Sequence, residues 1–528
     1  MTIVPRKHVG VIGAGMGGLT AAALLASRGF QVSLFERATH VGGKMRRIAL
    51  RDSAGGSHEF DGGPTVLTMR SVFDELFTAC GESLDEWVSL QRQADIARHF
   101  FPGGNVLDLY TAAEEDETSL EQNIEAIRAF SDTGNAMGYQ RMSGHFRRIL
   151  SEVYEPFMMS QRPTVASLLR QQGLASISAP WRMDVTRTLW DSLSSFFSDD
   201  RLIRLFGRYA TYCGSSPFEA PATLGIISEV ERQGVWTVDG GMHQLAKAVA
   251  DLAVKQGVTL YLGAGVSRVT GRRKVRSIIT DDGVQHDVDA IVCNADIGAM
   301  GRGDLGPDIK QSGDSRYARS LSAVVHFCVG RIGPEKTGAA YGQADNDLLF
   351  HNVFFSNQPY LDEFDSIFKR NELPKSPTVY VCAQDRKSGV CLNKKGQEDP
   401  VQERLYCLTN APAFGNQVSD LSIRNEARHA LDATLNVCGH RLVSKVETFI
   451  GPENFETHFP GSHGAIYGPA SHGWKSTLDR KSAVSSVRNL FFAGGSVHPG
   501  AGVPMAAISG RLAADACSGT GVPKKSVI

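Results

Sequence analysis

The residues with the clearest chemical use stand near the start of the chain. Gly13-Ala14-Gly15-Met16-Gly17-Gly18 carries the spacing G-x-G-x-x-G at Gly13, Gly15 and Gly18, and Glu36 follows about twenty residues on. Three glycines so spaced let a chain turn sharply, approach a pyrophosphate with its backbone, and pack a helix close to a strand. The carboxylate downstream accepts hydrogen bonds from ribose hydroxyls. The chemistry implied is capture of a dinucleotide, with Ala14, Gly17 and Arg37 beside the key residues as further contacts.

These residues need particular elements to hold them. Residues 8–12 read as a short buried strand, residues 19–28 as Ala- and Leu-rich helix, Gly29 as its C-cap, and residues 31–35 as a second strand ending at Glu36. A helix N-terminus opening just after the glycines offers unpaired N–H groups and a positive dipole end to phosphates. Further along, Gly240-Gly241 opens a helix to about residue 255, and strands are expected at 258–261, 267–269 and 288–293. Gly263-Ala264-Gly265 is a decoy, because its third glycine position is Arg268. Residues 489–495 form a last strand, and the loop 496–503 leads into a helix near Pro504, a favoured helix start. Between these pieces lie a hairpin at 96–101 and 106–110, helix over much of 121–169, strands at 322–329 and 378–382, and polar loops at 301–316 and 387–403.

Composition narrows the remaining possibilities. The chain has 528 residues, 42% hydrophobic and 21% charged, with a net charge of -1, so it is an ordinary globular protein of several units with no nucleic-acid partner. No apolar run is long enough to span a bilayer. Ala21 to Ala26 resembles a leader core, but the glycines before it and Arg28 after it argue against secretion. The 9 cysteines include no C-x-x-C pair, which points to free thiols in a reducing, cytoplasmic setting and to no structural zinc. His351, His458 and His498 are isolated, so no metal is expected. No nucleophile elbow, H-E-x-x-H or second nucleotide fingerprint occurs. A bound cofactor is left to carry the chemistry.

The glycine pair Gly42-Gly43 with Lys44, and then Asp61-Gly62-Gly63-Pro64, resembles the extended fingerprint of the amine oxidase and carotenoid desaturase flavoproteins. The stretch 206–212, Ser216-Pro217-Phe218, and residues 234–242, 379–386 and 492–500 look like the carotenoid desaturases. Trp236 with residues 238–242, and Ala470-Ser471-His472-Gly473-Trp474, are most similar to the 1-hydroxycarotenoid 3,4-desaturases. The resemblance implies FAD as cofactor. Lys44 would sit near the pyrophosphate and Gly63-Pro64 near the flavin. The Val266 backbone would meet the adenine, and Gly494, Gly495, Val503, Pro504 and Met505 would complete the flavin site.

The implied fold is α/β. A discontinuous Rossmann-like FAD-binding domain (1–75, 225–300 and 480–520) joins a mixed α+β substrate domain (76–224 and 301–479), with a tail at 521–528. The implied reaction is C3–C4 dehydrogenation of a 1-hydroxy carotenoid. Phytoene desaturation, amine oxidation and a non-catalytic GTPase dissociation inhibitor of the same fold are the alternatives. Asp239 is the candidate base, with a turn or helix-cap role as its competing reading. A carotenoid is insoluble, so peripheral docking on a membrane is expected, with residues 201–206 and 138–159 as candidate interfacial helices or ordinary core helices. The electron acceptor is oxygen or a quinone.

Overall fold

The computed structural model describes residues 6–53, 55–112, 118–162, 183–310, 318–334, 348–387, 390–391, 402–473 and 476–520. Strand β1 (His8–Ile12) runs into helix α1 (Met16–Ser27) and then strand β2 (Gln31–Glu36). Every residue of α1 from Met16 to Ala26 is buried, which explains its lack of any polar face. The helices Met242–Lys255 and Val503–Ser518 pack against it. Small residues permit the approach: a Cβ on Gly510 would overlap the Gly17 carbonyl.

β1 is the centre of a five-stranded parallel sheet, in the order Leu490–Phe492, Ala290–Cys293, β1, β2, Thr259–Leu262. Both faces of this sheet are covered, so its strands are continuous apolar runs such as Ala290–Cys293. The register sets Ile12 beside Phe35 and Cys293. The turn at Gly13, the acid at Glu36 and the loop after Cys293 therefore emerge together at the carboxyl edge, where α/β sheets hold ligands.

A second, seven-stranded sheet has the order His440–Ile450, Ser322–Pro334, Glu403–Ala411, Val379–Ala383, His351–Phe354, Asp95–Phe101, Asn105–Tyr110. Its pairs are antiparallel except His351–Phe354 with Asp95–Phe101. Gly103 and Gly104, at φ of 81° and 80°, close the hairpin expected there. The helical stretch after residue 118 breaks once: Asp132 caps Thr133–Val153 by accepting the Asn135 N–H at 2.8 Å. The remainder of that stretch, from residue 163 to 169, lies outside the described residues, as do Trp474, the tail and most of the polar loop at 387–403.

Packing draws the two bodies slightly differently from the boundaries read in the sequence. Leu84 and Val88 belong to the core around β1 and α1, Leu305 and Ile309 pack beneath the parallel sheet, and Ile226, Ile227 and Val230 pack with the second body. The reason is local: Leu90–Arg92 pairs with Trp236–Val238 and ties the first segment down beyond residue 75.

The two candidate interfacial helices turn their apolar faces inward. In Asp200–Gly207, Leu202, Ile203, Leu205 and Phe206 are buried, while Arg201 and Arg204 pair with Asp199 and Asp200. In Thr133–Val153, Tyr139, Met142, Phe146, Ile149 and Leu150 are buried in the same core. Asp200–Gly207 and Thr133–Val153 are core helices on these faces, while Tyr154, Phe157 and Met159, at the end of the second candidate stretch, are half-buried. No helix among the described residues is long and apolar enough to cross a membrane.

Candidate functional site

A continuous cavity of about 820 Å³ lies along the carboxyl edge of the parallel sheet and extends to the seven-stranded sheet. Gly13, Gly15, Gly17, Glu36, Arg37, Gly42, Gly43, Lys44, Gly63, Pro64, Val266, Gly494, Gly495, Val503 and Pro504 all contribute to its wall. Sites read from four separate stretches of sequence are thus brought into one space.

Ala14, Gly18 and Met505 do not line it. Ala14 is fully buried, and its N–H is taken by Glu36. Gly18 faces the strand, where a Cβ would overlap the Gly13 carbonyl. Met505 turns into the hydrophobic cores behind the wall.

The turn forms a cradle that larger residues would fill. Gly13 has φ of 93°, a conformation that suits glycine. A Cβ on Gly15 would lie 2.8 Å from Asn294 Nδ2, and one on Gly17 would lie 2.7 Å from Asn294 Oδ1. Asn294 also donates to the Gly13 carbonyl at 3.4 Å. α1 begins at Gly15 with no side-chain cap, so its first N–H groups stay available to an anion. Glu36 is aimed by two amides: Oε2 accepts from Ala14 at 2.7 Å and Oε1 from Ala38 at 2.8 Å. Each carboxylate oxygen retains a lone pair for a ribose hydroxyl. Uncapped N–H groups, a side-chain-free cradle and a fixed carboxylate fit a dinucleotide.

Lys44 is a wall residue and not a solvated surface lysine. Its Nζ donates to the Ile466 carbonyl at 2.6 Å and lies 5.5 Å from the Phe459 ring centre. Burial pulls its pKa below the usual lysine range, and Asp296 opposes that pull. Ser496 accepts the Ile297 N–H at 3.2 Å, in the loop before Val503.

Asp239 lies outside the cavity. Its Oδ2 accepts from Ser89 at 2.7 Å and from Gln91 at 3.3 Å, which pins the short strand pair. It is a turn residue that does not line the cavity. It is not the helix cap either, since that role belongs to Asp61, which accepts the N–H groups of Met242 and His243. The three histidines are held structurally. His351 Nδ1 is 2.6 Å from Tyr380 Oη, His458 Nδ1 is 2.9 Å from the Asn454 carbonyl, and His498 Nε2 contacts the Phe157 carbonyl at 3.0 Å.

The second body supplies wall residues that the motifs did not single out. Ile227, Val230, Tyr406, Leu408 and Tyr467 give apolar and aromatic surface, while Arg208, Tyr212, Glu231 and Tyr380 give polar groups. Arg208 and Tyr212 fall inside the recognisable stretch 206–212, but that pattern carried no sign of which side chains face a ligand.

Against known proteins, residues 16–331 match the family model described as flavin containing amine oxidoreductase. The chain belongs to that family. It is 40% identical to a hydroxyneurosporene desaturase of Rubrivivax gelatinosus, over 97% of this chain and 93% of that protein. It is 37% identical to a hydroxyneurosporene desaturase of Cereibacter sphaeroides, over 97% of both chains. Within the family it therefore stands among the carotenoid desaturases. The solved structure of a putrescine oxidase covers 97% of this chain and 99% of its own at a TM-score of 0.58 and 14% identity, a likeness of fold. The chain is an FAD-dependent oxidoreductase.

Proposed function

We propose that this protein desaturates an acyclic carotenoid, removing hydrogen across C3–C4 of a 1-hydroxy carotenoid, with FAD held by the cradle at Gly13 to Gly17, Glu36, Lys44, Gly63 and the loop before Val503. The observation that carries the reading is the full-length similarity to two hydroxyneurosporene desaturases. The cavity supports it. One space combines the dinucleotide cradle with an apolar and aromatic wall from a different sheet.

The flavin supplies a two-electron acceptor that takes a hydride from carbon. The chain's own work is to bind, orient and exclude water. Tyr406, Leu408, Ile227 and Val230 offer surface against which a polyene can lie. A conjugated chain spreads developing positive charge, so the departing proton needs no strong base, in keeping with the position of Asp239 away from the cavity. Because the substrate is insoluble, the protein works peripherally at a membrane surface, and oxygen or a quinone reoxidises the flavin.

The test is expression in cells supplied with a 1-hydroxy carotenoid and, separately, with phytoene, followed by chromatography and mass spectrometry of the pigments. The expected result is loss of two hydrogens and a red-shifted spectrum for the hydroxylated substrate. Conversion of phytoene alone would overturn the assignment.

A further inference from the structure

Arg208 is a charged residue in the wall of a cavity assigned to a hydrocarbon chain. It follows the helix Asp200–Gly207, opens the tight turn Arg208–Cys213, and is 8% exposed. A guanidinium has five N–H donors and no acceptor. Among the described residues its one hydrogen bond is from Nη2 to Tyr212 Oη, at 3.3 Å. Nε is buried with no partner among the described residues. The aromatic faces of Tyr212 and Tyr209 lie 5.2 and 6.0 Å from it.

The carboxylate that balances this charge does not occupy it. Glu231, 2% exposed, receives the Tyr209 hydroxyl at 2.8 Å and the Tyr212 hydroxyl at 2.6 Å. Burial opposes the charge on Arg208, and Tyr212, Glu231 and Tyr209 outweigh it, so the side chain stays cationic. A buried arginine with a carboxylate near usually pairs with it through two parallel bonds. Instead, two tyrosines sit between them and leave guanidinium donors uncommitted. Tyr212 has its single O–H committed to Glu231 while it accepts from Arg208, so it has no donor left for a ligand.

We propose that Arg208 donates to the hydroxyl oxygen of the substrate and sets the preference for a hydroxylated over an unhydroxylated carotenoid. This deepens the functional reading above and rests on it. A pure hydrocarbon would cover the guanidinium and leave its donors unpaired, whereas a tertiary hydroxyl supplies the missing acceptor. Tyr209, Tyr212 and Glu231 hold the arginine in place and act through it.

The experiment compares kcat/KM for a 1-hydroxy carotenoid and its unhydroxylated analogue, in detergent or lipid dispersion, for the wild type and Arg208→Met. The wild type is expected to favour the hydroxylated substrate. Arg208→Met is expected to lose about 10- to 150-fold on that substrate, the range for a hydrogen bond to a charged group, and to gain on the analogue, which no longer has to cover unpaired donors. Removing the cation strands Glu231, so Arg208→Met/Glu231→Gln provides a variant without the buried charge. FAD content and thermal unfolding report whether each variant is folded. Retained preference in a folded variant, or no preference in the wild type, overturns the proposal. A wild type that converts neither carotenoid overturns the functional reading, and this inference with it.

Discussion

Asp61 caps a helix that begins 181 residues later in the chain: its Oδ2 accepts the Met242 N–H at 2.9 Å and its Oδ1 the His243 N–H at 3.3 Å. The neighbouring glycines make room. Gly241, at φ of 93°, would place a Cβ 2.6 Å from the Asp61 carboxylate. Burial pushes the Asp61 pKa up despite these two amides. Asp61→Ala should cost about 1–2 kcal/mol of stability through two uncapped N–H groups, and Asp61→Asn clearly less. Urea unfolding of the three proteins measures this. Equal stability of Asp61→Ala and wild type would mean that the cap contributes nothing.

Glu36→Ala removes the carboxylate fixed by Ala14 and Ala38. Flavin retention should weaken by about 1–3 kcal/mol if the ribose hydrogen bonds are lost. Equilibrium dialysis of FAD against apoprotein reads the change. Undiminished affinity would place the ribose elsewhere.

Gly18 and Gly29 should respond differently to alanine. A Cβ at Gly18 meets backbone, the Gly13 carbonyl, and α1 would have to move away from the sheet. A Cβ at Gly29 meets nothing within 4 Å, although its φ of 86° carries strain. Gly18→Ala is expected to cost about 1–3 kcal/mol and to reduce flavin content. Gly29→Ala should cost about 1 kcal/mol and leave flavin content intact. Thermal unfolding and the protein-to-flavin absorbance ratio separate the two.

Acid should destabilise the protein through histidines held neutral by burial. Burial lowers the pKa of His99 and His351 to about 3, with Arg208 adding to the effect, and that of His326 and His498 to about 4. In the unfolded chain these rings titrate near 6.5. Between about pH 6.5 and 4 the unfolded state therefore binds protons that the folded state refuses. Their contribution to stability is complete above that window and falls as pH is lowered through it. His326→Phe, which keeps the stacking on Phe449, should flatten the slope by up to about 1.4 kcal/mol per pH unit. Denaturation at a series of pH values would show an unchanged slope if His326 takes no part.

What could be read in the sequence was what is decided locally. The turn at Gly13, the helix after it and the strand ending at Glu36 are neighbours in the chain, so glycine spacing and apolar runs were enough to place them. The same holds for the hairpin closed by Gly103 and Gly104. What could not be read depends on partners far away. Asp61 looked like part of a flavin-side turn, and its helix lies in another segment. Asp239 drew attention by standing before Gly240, and Ser89 and Gln91, which hold it, lie about 150 residues earlier, beside and within the strand Leu90–Arg92. The amphipathic pattern of residues 201–206 describes a helix with one apolar face, without saying whether protein or lipid covers it. Arg208 is legible only as a buried cation once the cavity beside it is seen.

The discontinuity of the parallel sheet also sets an order of events in time. The edge strand Leu490–Phe492 pairs with Ala290–Cys293, and Val503–Ser518 packs on α1. A ribosome that has made the glycine cradle must add several hundred residues before the opposite wall exists. Cofactor loading is therefore a step that follows synthesis through residue 518. Until then α1 lacks its partner Val503–Ser518, and free flavin has no complete site to stabilise the nascent chain.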